Sequence, residues 1–189
     1  MAKRKNLQEL QARIASLLQQ ANSEGGVTAS WLGVYLGGQR MLFSLQQSGE
    51  IYALGKVQPL PYVKPWFRGV TALRGQVYGV VDLSFFLSMY GGTGAGTPES
   101  AAERSKQRLV GINEALGVNA VFQVDALEGL RGCDDFVRSE FPPEDSPSYF
   151  GSVFYDSLQQ TWQEIHLQFL VQDAEFLDIA SEQSVLTLS

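Results

Sequence analysis

Residues 69–83, "GVTALRGQVYGVVDL", are two runs of strand-forming side chains that meet at Arg74-Gly75. Both runs are rich in β-branched and aromatic residues, and a glycine stands at the bend, so the stretch is a β-hairpin. Gly75 supplies the positive φ that a tight turn demands. Arg74 has two readings. Its guanidinium reaches back to a carboxylate, Glu50 or Asp82, and locks the sheet. Alternatively it is presented at a rim, where its planar donors fork onto a partner's carboxylate or backbone oxygens.

Outward from this hairpin the period-2 pattern recurs. Trp31–Leu36, a Gly37-Gly38 turn and Arg40–Leu45 form another hairpin. Gln58 to Pro65 holds three prolines and is an extended connection rather than a central strand. Ser84–Leu87 is a short helical turn. Strands resume at Arg108–Asn113 and, past a turn near Leu116-Gly117, at Asn119–Asp125; Tyr149–Tyr155 is another. Residues 134–149 are an acidic, proline-bearing loop. Ile165–Ala180 is a short strand or turn followed by a helix. The glycine-rich stretch at 91–105 has no apolar periodicity, which predicts a mobile connection between two β halves. Ahead of it all, Leu7, Leu10, Ile14 and Leu17 mark one face of an amphipathic helix over residues 5–21, ended at Gly25-Gly26.

The 189 residues carry a net charge of −6, which argues against a phosphate-backbone partner. No apolar run is long enough to span a bilayer, and the basic amino end lacks a signal peptide's apolar core. With one cysteine, Cys133, no intrachain disulfide forms, which fits a reducing, cytoplasmic setting. One histidine, His166, and one cysteine make a poor inventory for a metal site or a nucleophile–base pair. Asp134, Asp135, Glu140, Glu144 and Asp145 are read as a solvated face. No phosphate loop or dinucleotide fingerprint is present. These features predict a protein that is not an enzyme and needs no cofactor. Trp66 and Trp162 are core, or else walls of a groove between the halves that holds a small molecule.

The stretch "PYVKPWFRGVTALRGQVYGVVDL" resembles the signature of the CheW-like family, the coupling proteins of bacterial chemosensory arrays. The matching positions are Pro65, Gly69, Val70, Leu73, Arg74, Gly75, Asp82 and Leu83. Gly38-Gln39-Arg40 through Glu50-Ile51 is similar to the family's first hairpin and its Val-x-Glu-Ile segment, with Ser48 in place of the valine. Ala72 stands for the turn asparagine, and Gly79 for a frequent proline. Phe122–Asp125 through Leu127 resembles a later strand. Ser30-Trp31, Tyr62–Trp66, Ser105–Arg108 and Phe176–Ala180 are similar to the branch controlling type IV pili and twitching motility.

The resemblance implies a mainly β fold of two five-stranded SH3-like barrels over residues 27–180. The first barrel covers about 30–90 and the second about 106–165. An amino-terminal helix and linker (1–26) precede them, and a C-terminal helix at about 168–182 follows. It implies an adaptor at membrane-associated receptor arrays, between the cytoplasmic tip of a methyl-accepting chemoreceptor and the regulatory domain of a CheA-type histidine kinase. It involves no nucleic acid and no membrane insertion. The family's contact positions fall on Glu50, Gly69, Arg74 and Gly75, while Asp82 and Asp125 belong to the structural motif.

Overall fold

In the computed structural model, residues 29–91 and 105–181 are described; the expected helix over 5–21 and most of the glycine-rich connection lie outside them. The described chain folds into two sheets that share one core. The first sheet has six strands in the order β8-β1-β2-β11-β10-β9, the second five in the order β3-β6-β7-β5-β4. The strands are β1 (Trp31–Leu36), β2 (Gln39–Ser44), β3 (Ser48–Ala53), β4 (Phe67–Leu73), β5 (Gln76–Asp82), β6 (Arg108–Ile112), β7 (Ala120–Val124), β8 (Ala126–Arg131), β9 (Phe136–Glu140), β10 (Phe150–Asp156) and β11 (Thr161–Ile165).

The strand pairing crosses between the expected spans of about 30–90 and about 106–165. Strands β1 and β2 pair with β8 and β11, far along the chain. Strands β6 and β7 cross the other way: β6 pairs with β3, and β7 runs parallel to β5. Each sheet draws strands from both sides of residues 92–104. Strand partners are chosen by which apolar faces can be buried together, and a linker's composition does not record that.

Side-chain alternation explains the shared core. Along β5, β6 and β7 successive residues go to opposite faces. Val81, Val110, Ala120 and Phe122 join the large cluster between the sheets, with Leu32, Val34, Met41 and Phe43 from the other sheet. Val80, Leu109 and Val121 face the inside of the five-stranded sheet, with Tyr52, Leu54, Val57, Leu73 and Tyr78 packed around them. Both faces are buried at Val80-Val81, Leu109–Ile112 and Ala120–Phe122, so these segments read as short apolar runs. The five-stranded sheet curls until the chain beyond β3 meets β4: Gln58 and Val70 exchange backbone hydrogen bonds of 2.7 and 2.9 Å. The six-stranded sheet is filled on its inner side by rings: Trp31, Phe136 and Phe154 are in mutual contact, and Trp162 meets Phe136 edge-on.

Asp82 stops β5 and starts α1 (Leu83–Tyr90) by accepting a hydrogen bond from the Phe85 N–H at 3.0 Å. The helix is eight residues long where the sequence suggested a single turn. The acidic segment is not all loop: β9 lies within it. The C-terminal helix is two one-turn helices, α2 (Leu167–Leu170) and α3 (Ala174–Leu177), split where Asp173 caps the second. Phe176 of α3 stacks on Trp66 with ring centroids 5.8 Å apart. Lys64 bridges Glu175 and Asp178 at 3.2 and 3.0 Å, tying this tail to the proline-rich approach.

Candidate functional site

The β4–β5 turn puts both central residues at positive φ, Arg74 at 49° and Gly75 at 82°. Leu73 pairs with Gln76, so the loop has two residues and its geometry is type I′. Glycine meets this at no steric cost, and a Cβ on Gly75 would touch nothing within 4 Å. Arginine is an uncommon choice at the first position, where asparagine, aspartate or glycine relieves the left-handed strain.

The Arg74 side chain reaches across the mouth of the barrel. Its Nη1 donates to Glu50 Oε1 at 2.7 Å, joining the hairpin tip to edge strand β3. Of the two carboxylates the sequence offered, Glu50 is the partner, and Asp82 is committed to capping α1. Both members of the ion pair stay open to water, with side chains 74% and 51% exposed. They line a groove of about 460 Å³ together with Tyr52, Leu73, Tyr78, Ile112 and Asn113. Burial, and then the Glu50 carboxylate beside it, raise the Tyr52 hydroxyl above its ordinary value, while Arg74 opposes them.

Gly69 is placed differently. It is buried, at φ 128°, beside the bulge between Phe67 and Gly69. A Cβ there would lie 2.1 Å from the Gln58 carbonyl oxygen, 2.7 Å from its carbon and 2.8 Å from Pro59 Cα. This glycine lets the crossing backbone close the barrel. Asp125, at the end of β7, accepts from the Gly37 N–H at 2.9 Å and from Gln107 Nε2 at 3.4 Å. It thereby fixes the β1–β2 turn of one sheet to a strand of the other. Asp82 is pushed up by its own burial; the Phe85 N–H and Arg68 pull it down, and Asp125 adds a smaller upward push.

The structure thus brings Glu50, Arg74 and Gly75 together at one surface and places Gly69, Asp82 and Asp125 inside the scaffold. Sequence reasoning missed Tyr52, Tyr78 and the paired glycines of the groove wall. A Cβ on Gly49 would meet the Ile112 carbonyl at 2.9 Å, and one on Gly111 the Glu50 carbonyl at 3.0 Å. The signal was there, a glycine in each of two neighbouring strands, but the pairing of β3 with β6 was not predicted.

The remaining candidates have structural employment. Trp66 and Trp162 are 0% and 1% exposed, so neither can wall a groove, and the small-molecule reading loses the residues it was built on. Asp135 accepts from the Gly132 N–H at 2.7 Å and closes a turn. His166 precedes α2 with its ring edge-on to Phe169. Among the described residues no group of three or more His, Cys, Asp or Glu could hold a metal ion, and no helix is long and apolar enough to cross a membrane.

Known proteins with related sequences and structures fit this architecture. The chain is 29% identical over 163 residues to Protein PilI of Pseudomonas aeruginosa, covering 85% of each protein. Its fold matches the crystal structure of scaffolding protein TtCheW from Thermoanaerobacter tengcongensis with a TM-score of 0.59 at 18% identity, over 78% of this chain and 95% of that one. The sequence pattern of the CheW-like domain matches residues 30–154, so the chain, with its two interleaved sheets and its arginine-tipped hairpin, belongs to the CheW-like domain family.

Proposed function

We propose that the protein is a non-catalytic adaptor that couples a methyl-accepting chemoreceptor to a CheA-type histidine kinase. In this reading it works at the cytoplasmic face of receptor arrays that control type IV pili. Its similarity to PilI supports the pilus assignment. The observation that carries the proposal is the exposed Arg74–Glu50 pair. Exposed ion pairs contribute about 0–1 kcal/mol. Holding a non-glycine residue in the left-handed region costs about 1–2 kcal/mol. The pair therefore does not repay its own strain, and stability is a poor reason for an arginine at this tip. Presentation is a better one: the strained turn holds a guanidinium, already oriented by Glu50, at the mouth of a groove. A helical receptor tip offering carboxylates or free carbonyls would complete its donor set.

Contacts of this kind are individually weak and gain from repetition in a lattice. The test is Arg74→Ala, measured by calorimetry against a receptor signalling-tip fragment. Truncating a partly desolvated interface arginine costs about 2 kcal/mol or more, so affinity should fall at least tenfold while the melting temperature stays within about 2 °C. Unchanged affinity, or a stability loss large enough to account for the binding defect, would sink the proposal.

A further inference from the structure

Strand β9 is the outer strand of the six-stranded sheet, and among the described residues it pairs with β10 alone. An open edge of this kind presents a row of unsatisfied backbone groups, and proteins usually guard it. Its shape guards it only in part: a bulge leaves Val137 unpaired between Phe136 and Arg138. Val137 is 61% exposed, and Phe141, the residue directly after the strand, is 91% exposed.

The order of residues along the edge is Phe136-Val137-Arg138-Ser139-Glu140-Phe141. It is its own complement when reversed about Ser139. Arg138 and Glu140 lie on one face of the strand. They are ion-paired to each other, and both are held by Tyr155: the guanidinium stacks 3.5 Å from the ring centre, and the hydroxyl donates to Glu140 Oε2 at 3.0 Å.

We infer that β9 is a self-association edge, pairing antiparallel with β9 of a second copy of this chain about a two-fold axis through Ser139. In that register Arg138 of each copy faces Glu140 of the other, on either side of the Ser139 pair. Directly opposed charges of opposite sign stabilise an antiparallel ladder. The bulge at Val137 bounds the regular ladder on one side, and Pro142, which has no N–H, bounds it on the other. A second copy is favoured over a different partner because a two-fold interface must be self-complementary, and nothing else requires this symmetry. The paired strand is short, well below the size of a standard stable interface, so the dimer is weak and concentration-dependent. The Glu50–Arg74 groove lies on the other sheet and stays open in the dimer. The inference therefore does not depend on the adaptor reading; if both hold, each dimer carries two receptor-facing grooves.

Two experiments test it. The first is oxidative cross-linking of the full chain carrying Ser139→Cys, with Cys133→Ser to remove the exposed native thiol. Facing Cβ atoms in a ladder are about 4.5–5.5 Å apart, close to the about 3.5–4.5 Å of a disulfide. Position 139 alone meets itself, so S139C should cross-link at least tenfold faster than R138C or E140C by itself. A mixture of R138C and E140C chains should cross-link as the single variants do not. Equal rates at the three positions would overturn the inference.

The second experiment is sedimentation equilibrium. R138E sets carboxylates face to face and should weaken dimerisation at least tenfold. The exchange R138E/E140R should restore it to within about threefold of the native chain. A native chain that stays monomeric at about 200 μM would show instead that the two charges serve only as guards of the edge.

Discussion

Gly69→Ala should destabilise the protein strongly, and the structure says why. The new Cβ would stand 2.1 Å from the Gln58 carbonyl oxygen, and the three nearest atoms all belong to backbone, which cannot rotate away. Relief requires Gln58 and Pro59 to retreat, breaking the two hydrogen bonds that Gln58 exchanges with Val70. Each such bond contributes about 0.5–1.5 kcal/mol. A backbone conformation that only glycine tolerates adds about 1–3 kcal/mol. The sum is about 2–6 kcal/mol, out of a total stability of about 5–15 kcal/mol for a typical domain. At about 2–4 °C per kcal/mol for a chain of this length, the melting temperature falls by roughly 4–24 °C.

Gly75→Ala is the internal control. Its φ is also positive, at 82°, but no atom lies within 4 Å, so only the conformational cost of about 1–2 kcal/mol remains. Thermal and urea denaturation of the three proteins provide the comparison. If Gly69→Ala melts within about 2 °C of the native chain yet loses partner binding, the reasoning fails, and Gly69 is a contact residue as the family resemblance implies.

Asp82→Asn keeps an acceptor for the Phe85 N–H and should stay within about 0.5 kcal/mol of native stability at neutral pH, while Asp82→Ala loses about 1–2 kcal/mol; chemical denaturation separates them. Burial raises the Asp82 carboxyl, so its ionisation is unfavourable above the folded-state pKa and ceases to matter below the unfolded one. Any advantage of the Asn variant should therefore shrink toward acid. Asp156 has the opposite sign: burial pushes it up, but hydrogen bonds from the Trp162 ring N–H and the Gln160 and Leu158 N–H groups, with Arg40 nearby, hold it below the usual range. Its contribution is complete above the unfolded pKa and lost as pH falls through the folded one. Asp156→Ala should cost about 1–3 kcal/mol at pH 7 and flatten the acid limb of the stability profile. Lys64→Met removes both ion pairs to the C-terminal tail and should raise hydrogen exchange about fivefold at the Ser181 amide, which bonds to the Tyr62 carbonyl.

The hairpins at Gly37-Gly38 and Arg74-Gly75 were legible because their cause is local: turn residues that tolerate positive φ lie between runs of strand formers. Strands β8 and β9, "ALEGLR" and "FVRSE", were not, because they lie at sheet edges with no side chain buried: β9 is exposed at all but its first residue, and β8 turns its leucines outward. The parallel pairing of β2 with β11 sets Arg40 beside Trp162 across more than half the chain, and no local pattern encodes that choice. At the candidate site, the arginine was visible as an oddity and its partner narrowed to two carboxylates. Choosing Glu50 needed the curl of the sheet, which brings edge strand β3 to the hairpin tip. Gly69 was given a contact role by resemblance; its buried close approach to Gln58 shows only in three dimensions.

The interleaving of the sheets bears on how the polypeptide can be divided. A cut within residues 92–104 would leave one fragment with β1–β5 and another with β6–β11, and neither holds all the strands of either sheet. Each fragment lacks strands that complete both sheets, so the pair should regain native structure only by co-assembly. Two such fragments would then act as the complementary pieces of a split reporter.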